Sequence, residues 1–519
     1  MKIIGICSGH DCSYAILENG IPIIHNELER FIRQKEPIDD AVKFLFDTYD
    51  DVDDIKHACT FLSNWKGGIS QRYPESYQKM ESIVSKNGGQ WWSPGHHQSH
   101  AANAFFSSNF DESLIITIDG GGEDIDMKNN CTVNTFTAWS GIHNHVWPLE
   151  FISDSDLNLG VFWNRYTKDV FGLSGTGPPY GSQAGTVMGM AALGDPNKFK
   201  NDLMNKERLR QHASESEQNR FDIAASMQQY TEEIIKEKIS KHLNSGRYKN
   251  LCLSGGVALN CVMVGKILKW FPDINIYVDP VPYDGGLALG SARYIWHHEL
   301  GNPRIKWEDN ATPYLGYKYH KDAITEQLEI NKDKLIHKKV TDEDVVNLLN
   351  EQNIISIFNE GSESGRRALG NRSIIADPRS DKMKDIINEK VKHRQWFRPF
   401  APSILREEVG KWFMYDVDSP YMNLVMPFRE EMKNKVPAVV HFDGTARLQT
   451  VTENDNNWYY NFIKKWFKVS GVPIVLNTSF NDREPIVETP EHAINCFLGT
   501  NIDYLYFPEY GILCNKREE

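Results

Sequence analysis

The stretch SPGHHQSHAANAFF (residues 93–106) sets His96, His97 and His100 within five positions of a chain that has only 17 histidines in 519 residues. Ser93 can cap a helix with Pro94 at its first position. On such a helix His96 and His100 stand at i and i+4 on one face, where two imidazoles can grip one cation, while His97 points elsewhere. Alone, the pattern reads first as a solvated helix face. Two carboxylates change that reading. Asp119 ends the apolar run LIITID and precedes Gly120, Gly121 and Gly122, and Asp284 precedes Gly285 and Gly286. An acid at a strand end beside bare backbone is placed to hold a cation that also meets phosphate oxygens. Either aspartate by itself reads as a turn or N-cap residue. Together with His96 and His100 they form a ligand set suited to iron, zinc or manganese.

Other groups suggest binding or proton transfer. LSGGVALN (253–260) follows a strand and opens a helix. Free amides at a helix start, with Gly255 and Gly256 allowing close approach, bind phosphate. The stretch lacks the ending of a P-loop and the G-x-G-x-x-G spacing, and a tight βα turn is the alternative. SGHDCS puts His10 and Asp11 at the mouth of the first hairpin, and a histidine near neutrality can act as general base on a hydroxyl. ELERFIRQK carries Glu27, Arg30, Arg33 and Lys35, and reads locally as an amphipathic helix with a solvated charged face. Residues 364–405 hold Arg366, Arg367, Arg372, Arg379, Lys392, Arg394 and Arg398 among glycines and apolar residues, with Arg398 inside WFRPFAP. Arginines set against aromatic and proline-rich backbone suggest a pocket for an anion with several oxygens, with structural ion pairs as the alternative. LNTSFN adds Asn477, Ser479 and Asn481, and HFDGTARLQTV adds Arg447.

The elements that must position these groups are strands ending in glycine turns. KIIGIC, CSYAILENG and IPIIHNEL read as a hairpin and a further strand. LIITIDGGGED, KNLCLSGGVALN and INIYVDPVPYDGGLALG repeat the strand-turn signal, the last two leading into helices. This is α/β architecture with ligands gathered at strand ends. Residues 318–350 are charged and helical before a new strand at IISIFNEG, which sets a domain boundary near residue 330. No internal repeat and no low-complexity tract is visible.

The length implies two or three domains. A net charge of −13 argues against a sequence-independent grip on a nucleic-acid polymer. The eight cysteines include no C-x-x-C pair, and several lie in apolar runs as small hydrophobes. With no secretory signal and no run of about 18 apolar residues, a soluble protein of the reducing cytoplasm is expected, with no membrane partner.

HHQSHAANAFFSS, IDGGGED, AGTVMGMAALG, SGGVALN, DGGLALGSA, GRRALGNRSIIADPR, FRPFAPSIL, HFDGTARLQTV and LNTSFN resemble, in order and over nearly the whole chain, the O-carbamoyltransferase family of nodulation-factor, cephamycin and tobramycin biosynthesis. The resemblance implies an α/β chain of two parts. Residues 1–330 would be an actin/hexokinase-like domain, similar to tRNA threonylcarbamoyl-transferases, where carbamoyl transfer occurs. Residues 331–519 would be a YrdC-like α/β domain that makes carbamoyl-adenylate from carbamoyl phosphate and Mg-ATP. His96, His100, Asp119 and Asp284 match the family's metal ligands, with iron the expected metal and zinc or manganese the alternatives. Gly120, Gly121, Ser254, Gly255, Gly256, Asn260 and Gly285 would meet the nucleotide. Arg367, Lys392, Arg398, Arg447, Asn477 and Ser479 would bind carbamoyl phosphate or ATP. His10 would polarise the acceptor hydroxyl and Lys35 would stabilise the adenylate. The implied partners are small molecules: a hydroxylated acceptor such as a sugar, an antibiotic-type alcohol or a hydroxymethylated nucleotide. A homodimer is compatible with the reading. Arg483 stands where the family usually has glycine, Thr186 where it has lysine and Leu193 where it has tyrosine; SGTGPPYGSQ also departs.

A second enzyme reading is tRNA threonylcarbamoylation, which shares both folds but is disfavoured by the acidic charge. A hydrogenase-maturation carbamoyltransferase would carry paired C-x-x-C motifs. A nucleotide-binding scaffold without chemistry would have no use for the dense Arg/Lys set and the four ligand candidates.

Overall fold

KIIGIC, SYAILE and IPIIHNE fold as the antiparallel run that their turns predict: β1 (Lys2–Cys7), β2 (Ser13–Glu18) and β3 (Ile21–Glu27). β4 (Ile55–Thr60) pairs parallel to β1, and β5 (Trp91–Trp92) parallel to β4, so the sheet runs β3-β2-β1-β4-β5. β1 is central and buried at every residue, which is why its sequence is almost continuously apolar. The computed structural model describes residues 1–61, 75–126, 128–153, 157–173, 183–307 and 311–517; apart from Gln183, SGTGPPYGSQ lies outside them.

The same plan recurs. β6 (Glu112–Ile125), β7 (Cys131–Ile142) and β8 (His145–Ser153) form a second antiparallel run, with β9 (Asn250–Ser254) parallel to β6 and β10 (Asn275–Val278) parallel to β9. The order β8-β7-β6-β9-β10 repeats that of the first sheet. The duplication, which the sequence pattern does not reveal, is the actin/hexokinase-like arrangement. The strand order repeats without a repeat of residues, because any apolar alternation fills the same strand.

Two helices lie between these sheets. The helix His96–Ser107 follows the first sheet and packs on β6 and β9 of the second; the helix Leu287–Tyr294 follows the second and packs on β1, β2 and β4 of the first. The two cross in direct contact. His96–Ser107 is buried around its whole circumference, so small residues such as Ala101, Ala102 and Ala104 dominate it. The solvated-face reading of its histidines is therefore overturned. Its start also differs from the expectation of Ser93 and Pro94. Gly95 is the N-cap, and the exposed amide of Gln98 is taken by Asp124 Oδ1 from β6, at 3.1 Å. A carboxylate from another strand outcompetes a local hydroxyl.

The chain divides by contacts into Met1–Leu315 and Gly316–Glu519. The charged helix Lys321–Ile330, at whose end the expected boundary falls, belongs to the second unit, where it packs on the helix Pro490–Gly499. That unit is built on a nine-stranded mixed sheet. Its strands are β11 (Leu335–Lys339), β12 (Ile355–Phe358), β13 (Arg372–Ala376), β14 (Ala401–Leu405), β15 (Leu424–Pro427), β16 (Thr445–Val451), β17 (Ile474–Ser479), β18 (Tyr504–Phe507) and β19 (Ile512–Lys516). They run in the order β11-β19-β18-β12-β13-β17-β14-β16-β15. The helix Asn457–Ser470 packs on β14 and β17 and buries Trp466. All eight cysteines are free thiols, with only Cys131 exposed. Among the described residues no helix is long and apolar enough to cross a membrane.

Candidate functional site

His96 and His100 come from the helix His96–Ser107, Asp119 from β6, and Asp284 from the turn that opens Leu287–Tyr294. β6 does not end at Asp119 as expected. Its pairing with β7 jumps from Ile118↔Phe136 to Gly122↔Asn134, so Asp119, Gly120 and Gly121 bulge out opposite Thr135 alone. The bulge turns Asp119 toward the helix. Gly122 is required beside it, since a Cβ there would lie 2.1 Å from the His96 ring.

One ligand atom from each of His96, His100, Asp119 and Asp284 lies within 4.8 Å of all the others. His100 Nε2 is 3.1 Å from Asp119 Oδ2 and 3.3 Å from Asp284 Oδ1; His96 Nε2 is 3.7 Å from Asp284 Oδ1. That His96 nitrogen is buried with no hydrogen-bond partner. An orphaned imidazole nitrogen facing carboxylates fits a divalent cation, which would satisfy it. Burial lowers the His96 pKa and favours the neutral, ligating imidazole. Burial acts the same way on His100, but its hydrogen bonds to Asp119 and Asp284 and their charges outweigh it, raising the pKa to about 9. For Asp119 burial works against ionisation, yet His100 and the Gly256 amide hold the carboxyl far below its usual range.

The supporting shell orients these ligands. His100 Nδ1 faces Ser254 Oγ at 3.4 Å, and Ser254 Oγ in turn donates to Pro282 O at 3.3 Å, which leaves Nε2 pointing at the carboxylates. Ser13 Oγ and His25 Nε2 both reach Gly285 O at 2.9 Å and fix the Asp284 turn. The backbone ahead of it is tied by Asp279, fully buried, which accepts from Asn103 Nδ2 (2.9 Å), Ser107 Oγ (2.7 Å) and Val281 N (2.7 Å) and lies 3.5 Å from Arg293 Nη1. Asp279 and Arg293 escaped the sequence reading. The available signal was an Asp and an Arg inside apolar runs, since such charges are buried only when paired.

The amides expected to be free for phosphate are engaged. Gly120 N donates to Asp119 Oδ1 (2.5 Å), Gly256 N to Asp119 Oδ2 (2.8 Å) and Gly255 N to Pro282 O (2.7 Å). The Gly255–Pro282 bond joins the end of β9 to the loop before Asp284. The anion that Gly120 and Gly256 hold is therefore Asp119 itself, which a sequence pattern cannot reveal because it does not show where that side chain turns. Asn260 caps the helix Cys261–Trp270 through Met263 N (3.1 Å) and bonds Gln228 (2.9 Å). Gly121 has a positive φ of 140° within the bulge.

His10 meets the same cluster: Nε2 is 3.3 Å from Asp284 Oδ2, and Nδ1 is 3.1 Å from Asp11 Oδ2. The bond to Asp11, then the charge of Asp284, raise the pKa of this largely exposed imidazole to about 10. Lys35 is half-buried, just beyond the left-handed end of the short helix Leu28–Ile32 at Arg33. The solvated-face reading fails there for Glu27 and Arg30, which are buried 3.8 Å apart, with Glu27 also accepting from Tyr283 OH. His97 turns away from the cluster. Its Nε2–H donates to Asn134 O (2.9 Å), so Nδ1 accepts from Thr117 Oγ1 (2.6 Å), and burial pushes its pKa down to about 3.

In the second unit, register and alternation gather polar groups on one face of the sheet. Asn477 opposes Ala401 on β14, and Ser403 opposes Gln449 on β16, two positions from Arg447. Asn477 Nδ2 reaches Gln449 Oε1 (2.8 Å), Ser403 Oγ (3.0 Å) and Ala368 O (3.1 Å). Lys392 is buried, and its ammonium meets Ser479 O (2.7 Å), Asn481 O (2.8 Å) and Asn481 Oδ1 (2.5 Å). With Ser479 Oγ also at 3.3 Å, these acceptors use all three of its donors, so it braces the end of β17. Burial, then the charge of Arg394, pushes its pKa well down. Arg398 and Arg447 have no carboxylate partner among the described residues, and Arg447 Nε is a buried, unpartnered donor. Burial and the nearby Arg447 charge lower Arg398 to about 10. Cations gathered without an acid can hold an anion. Arg367 is half-buried in the loop between β12 and β13. The structural alternative holds for two other arginines: Arg379 pairs with Asp377 at 2.6 Å, and fully buried Arg372 donates to Asn359 O at 2.6 Å. Of the departures, Thr186 is buried in the helix Ala184–Met190, Leu193 O accepts from Gln218, and Arg483 reaches His393 O at 3.2 Å.

Family models described as carbamoyltransferase N-terminus and carbamoyltransferase C-terminus match residues 196–293 and 346–513. The uncharacterized protein sll1178 of Synechocystis sp. is 34% identical over 480 residues, covering 80% of this chain and 75% of its own. Nodulation protein NolO of Bradyrhizobium diazoefficiens is 33% identical over 449 residues, covering 79% and 77%. Among solved structures, T. kodakarensis HypF is similar over 58% of this chain and 48% of its own, with 13% identity and a TM-score of 0.39.

Proposed function

The chain belongs to the carbamoyltransferase family, and from that premise we propose an ATP-dependent O-carbamoyltransferase with two centres. The C-terminal unit, read as YrdC-like, converts carbamoyl phosphate, water and ATP into carbamoyl-adenylate, phosphate and pyrophosphate. Water attacks the phosphorus of carbamoyl phosphate and the bond from that phosphorus to the carbamate oxygen breaks, releasing phosphate. The carbamate oxygen then attacks the α-phosphorus of ATP, the bond from that phosphorus to the bridging oxygen breaks, and pyrophosphate leaves. Arg398 and Arg447 neutralise the anionic substrates, with Arg367 beside them. Lys392, Asn477 and Ser479 hold the polar face against which the carbamoyl group lies.

The N-terminal unit performs the transfer. His96, His100, Asp119 and Asp284 would hold a divalent metal, iron by preference over zinc or manganese, and when bound it supplies positive charge against the phosphate of the adenylate. The charge of Asp284 helps hold His10 protonated, and a cation on that carboxylate would relieve it; His10 Nε2 then takes the proton from the acceptor hydroxyl, while Asp11 accepts from Nδ1–H and fixes the ring. The acceptor oxygen bonds the carbamoyl carbon, the bond to the phosphate oxygen breaks, and AMP leaves with the electron pair. Lys35 stabilises the adenylate. The glycine amides act on the nucleotide through Asp119, whose carboxylate they orient. The acceptor is a small hydroxylated molecule, and the setting is the cytoplasm.

One observation carries this reading: four potential ligand atoms converge within 4.8 Å around an orphaned buried nitrogen, with His10 touching the same aspartate. The test is pyrophosphate release from ATP with and without carbamoyl phosphate. Strict dependence on carbamoyl phosphate is expected; equal turnover without it refutes the proposal.

A further inference from the structure

Two polar atoms on one face of the C-terminal sheet are left over. Asn477 Oδ1 and Arg447 Nε are both buried, and among the described residues neither has a hydrogen-bond partner. Register puts them on the same side. Ser403 opposes Gln449, Arg447 stands two positions before Gln449, and Asn477 opposes Ala401, two positions before Ser403.

Which atom of Asn477 is left over follows from the loop before β13. A backbone carbonyl only accepts, so the Gln449 group that meets Leu369 O at 3.0 Å is its N–H. Gln449 Oε1 then faces the other way, where it accepts from the Ser403 hydroxyl and from Asn477 Nδ2 at 2.8 Å. Ala368 O, 3.1 Å from the same nitrogen, demands the same orientation. Gln449 also occupies the Ser403 hydroxyl hydrogen, which would otherwise satisfy the Asn477 oxygen and turn the amide over. The loop is itself fixed: fully buried Glu363 accepts at Oε1 from Leu369 N (2.5 Å), Asn371 N (3.1 Å) and Arg372 N (3.2 Å).

A buried acceptor and a buried donor without partners cost stability, which a ligand offering their complements relieves. A carbamoyl group offers a carbonyl oxygen to the arginine and an N–H to the amide oxygen. An acetyl group of the same shape has the oxygen but carries a methyl in place of the amine.

We infer that Asn477, its amide held by Gln449, selects the carbamoyl group: Oδ1 accepts from the carbamoyl N–H while Arg447 Nε donates to the carbonyl oxygen. This rests on the reading that the C-terminal unit binds carbamoyl phosphate, and adds what separates that substrate from other acyl phosphates. An acyl phosphate without the N–H leaves the Asn477 acceptor buried and unpaired, a loss of about 5- to 150-fold in affinity.

The test is calorimetric titration of the full chain, without ATP, with carbamoyl phosphate and, separately, with acetyl phosphate. The parent should bind carbamoyl phosphate about 5- to 150-fold more tightly. Asn477→Leu should weaken carbamoyl phosphate by that factor and leave acetyl phosphate as before, so that the gap closes. Gln449→Met should narrow the gap in the same direction, whereas Gln449→Glu, which keeps the acceptor used by Asn477 and Ser403, should preserve it. A parent that binds both probes equally overturns the selection and leaves the carbamoyl-phosphate reading standing. So does an equal loss of both probes in Asn477→Leu, which would make Asn477 a packing residue. An unchanged gap in Gln449→Met overturns the positioning role of Gln449. A parent that binds neither probe overturns the reading of the C-terminal unit itself.

Discussion

Replacing Gly290 with alanine probes how the two central helices hold the ligand set together. A Cβ at Gly290 would lie 2.0 Å from the carbonyl oxygen of Ser99, a clash of backbone against a new methyl that no rotamer can relieve. Helices His96–Ser107 and Leu287–Tyr294 would have to part by about 1 Å or more to restore an ordinary contact. Overpacking of this kind costs about 1–3 kcal/mol, against which the better helix propensity of alanine returns about 1 kcal/mol. A net destabilisation of up to about 2 kcal/mol is expected, read from urea unfolding. The same movement separates His100 from Asp284, now 3.3 Å apart. Metal sites tolerate errors of about 0.2 Å in ligand distance, so the metal content per purified chain should fall about tenfold or more. Gly185 provides the control, because among the described residues nothing lies within 4 Å of a Cβ built there. Gly185→Ala, in the first turn of the helix Ala184–Met190, should be neutral or stabilising by less than about 1 kcal/mol. A Gly290→Ala chain as stable and as metal-replete as the parent would refute the close-crossing account.

Four further outcomes follow from the same geometry. Changing His96 and His100 together to alanine should remove bound metal and carbamoyl transfer while carbamoyl-phosphate-dependent pyrophosphate release persists; loss of that release would sink the two-centre assignment. His10→Asn should lose transfer with metal retained, and full transfer would remove His10 from the mechanism. Asp279→Ala leaves buried Arg293 without its carboxylate and should cost about 3–5 kcal/mol in urea unfolding, with a cost under about 1 kcal/mol contradicting the pairing. His297 is buried and pushed down to about 3, first by burial and then by Arg304, whereas an unfolded histidine takes up its proton near 6.5. Its contribution to stability is thus full above about pH 6.5 and is lost as the pH falls toward about 3, by about 1.4 kcal/mol per pH unit. His297→Gln should flatten the dependence of the urea midpoint between pH 7 and 5, and an unchanged slope would refute it.

The four ligand candidates were legible because their signal is local: an i, i+4 pair of histidines, and aspartates standing before glycines. What was not legible depends on side chains arriving from elsewhere. Asp124, 26 residues from the Gln98 amide that it caps, displaces the expected Ser93 cap. Two of the glycine amides read as free phosphate donors are occupied by Asp119, and Lys392 points into the carbonyls behind β17. Glu27 and Arg30 looked like a solvated face because Tyr283, which donates to Glu27, arrives from 256 positions away and is invisible in the local pattern. The repeated strand order left no trace in the residues, since strand pairing constrains apolar alternation and not identity.

The exchange of helices between the two sheets has a consequence for how the chain is made. His100 and Asp284 are 184 positions apart, and the helix that carries the histidines has its seat on strands that come after it. At about 5–20 residues per second a ribosome needs about 10–40 s to travel from one to the other. Through that interval the histidine helix emerges with most of its burial partners still unsynthesised, and contacts of such long sequence separation form slowly even once both ends exist. The ligand cluster can close only near the end of N-terminal unit folding, so metal uptake should report the completion of that unit.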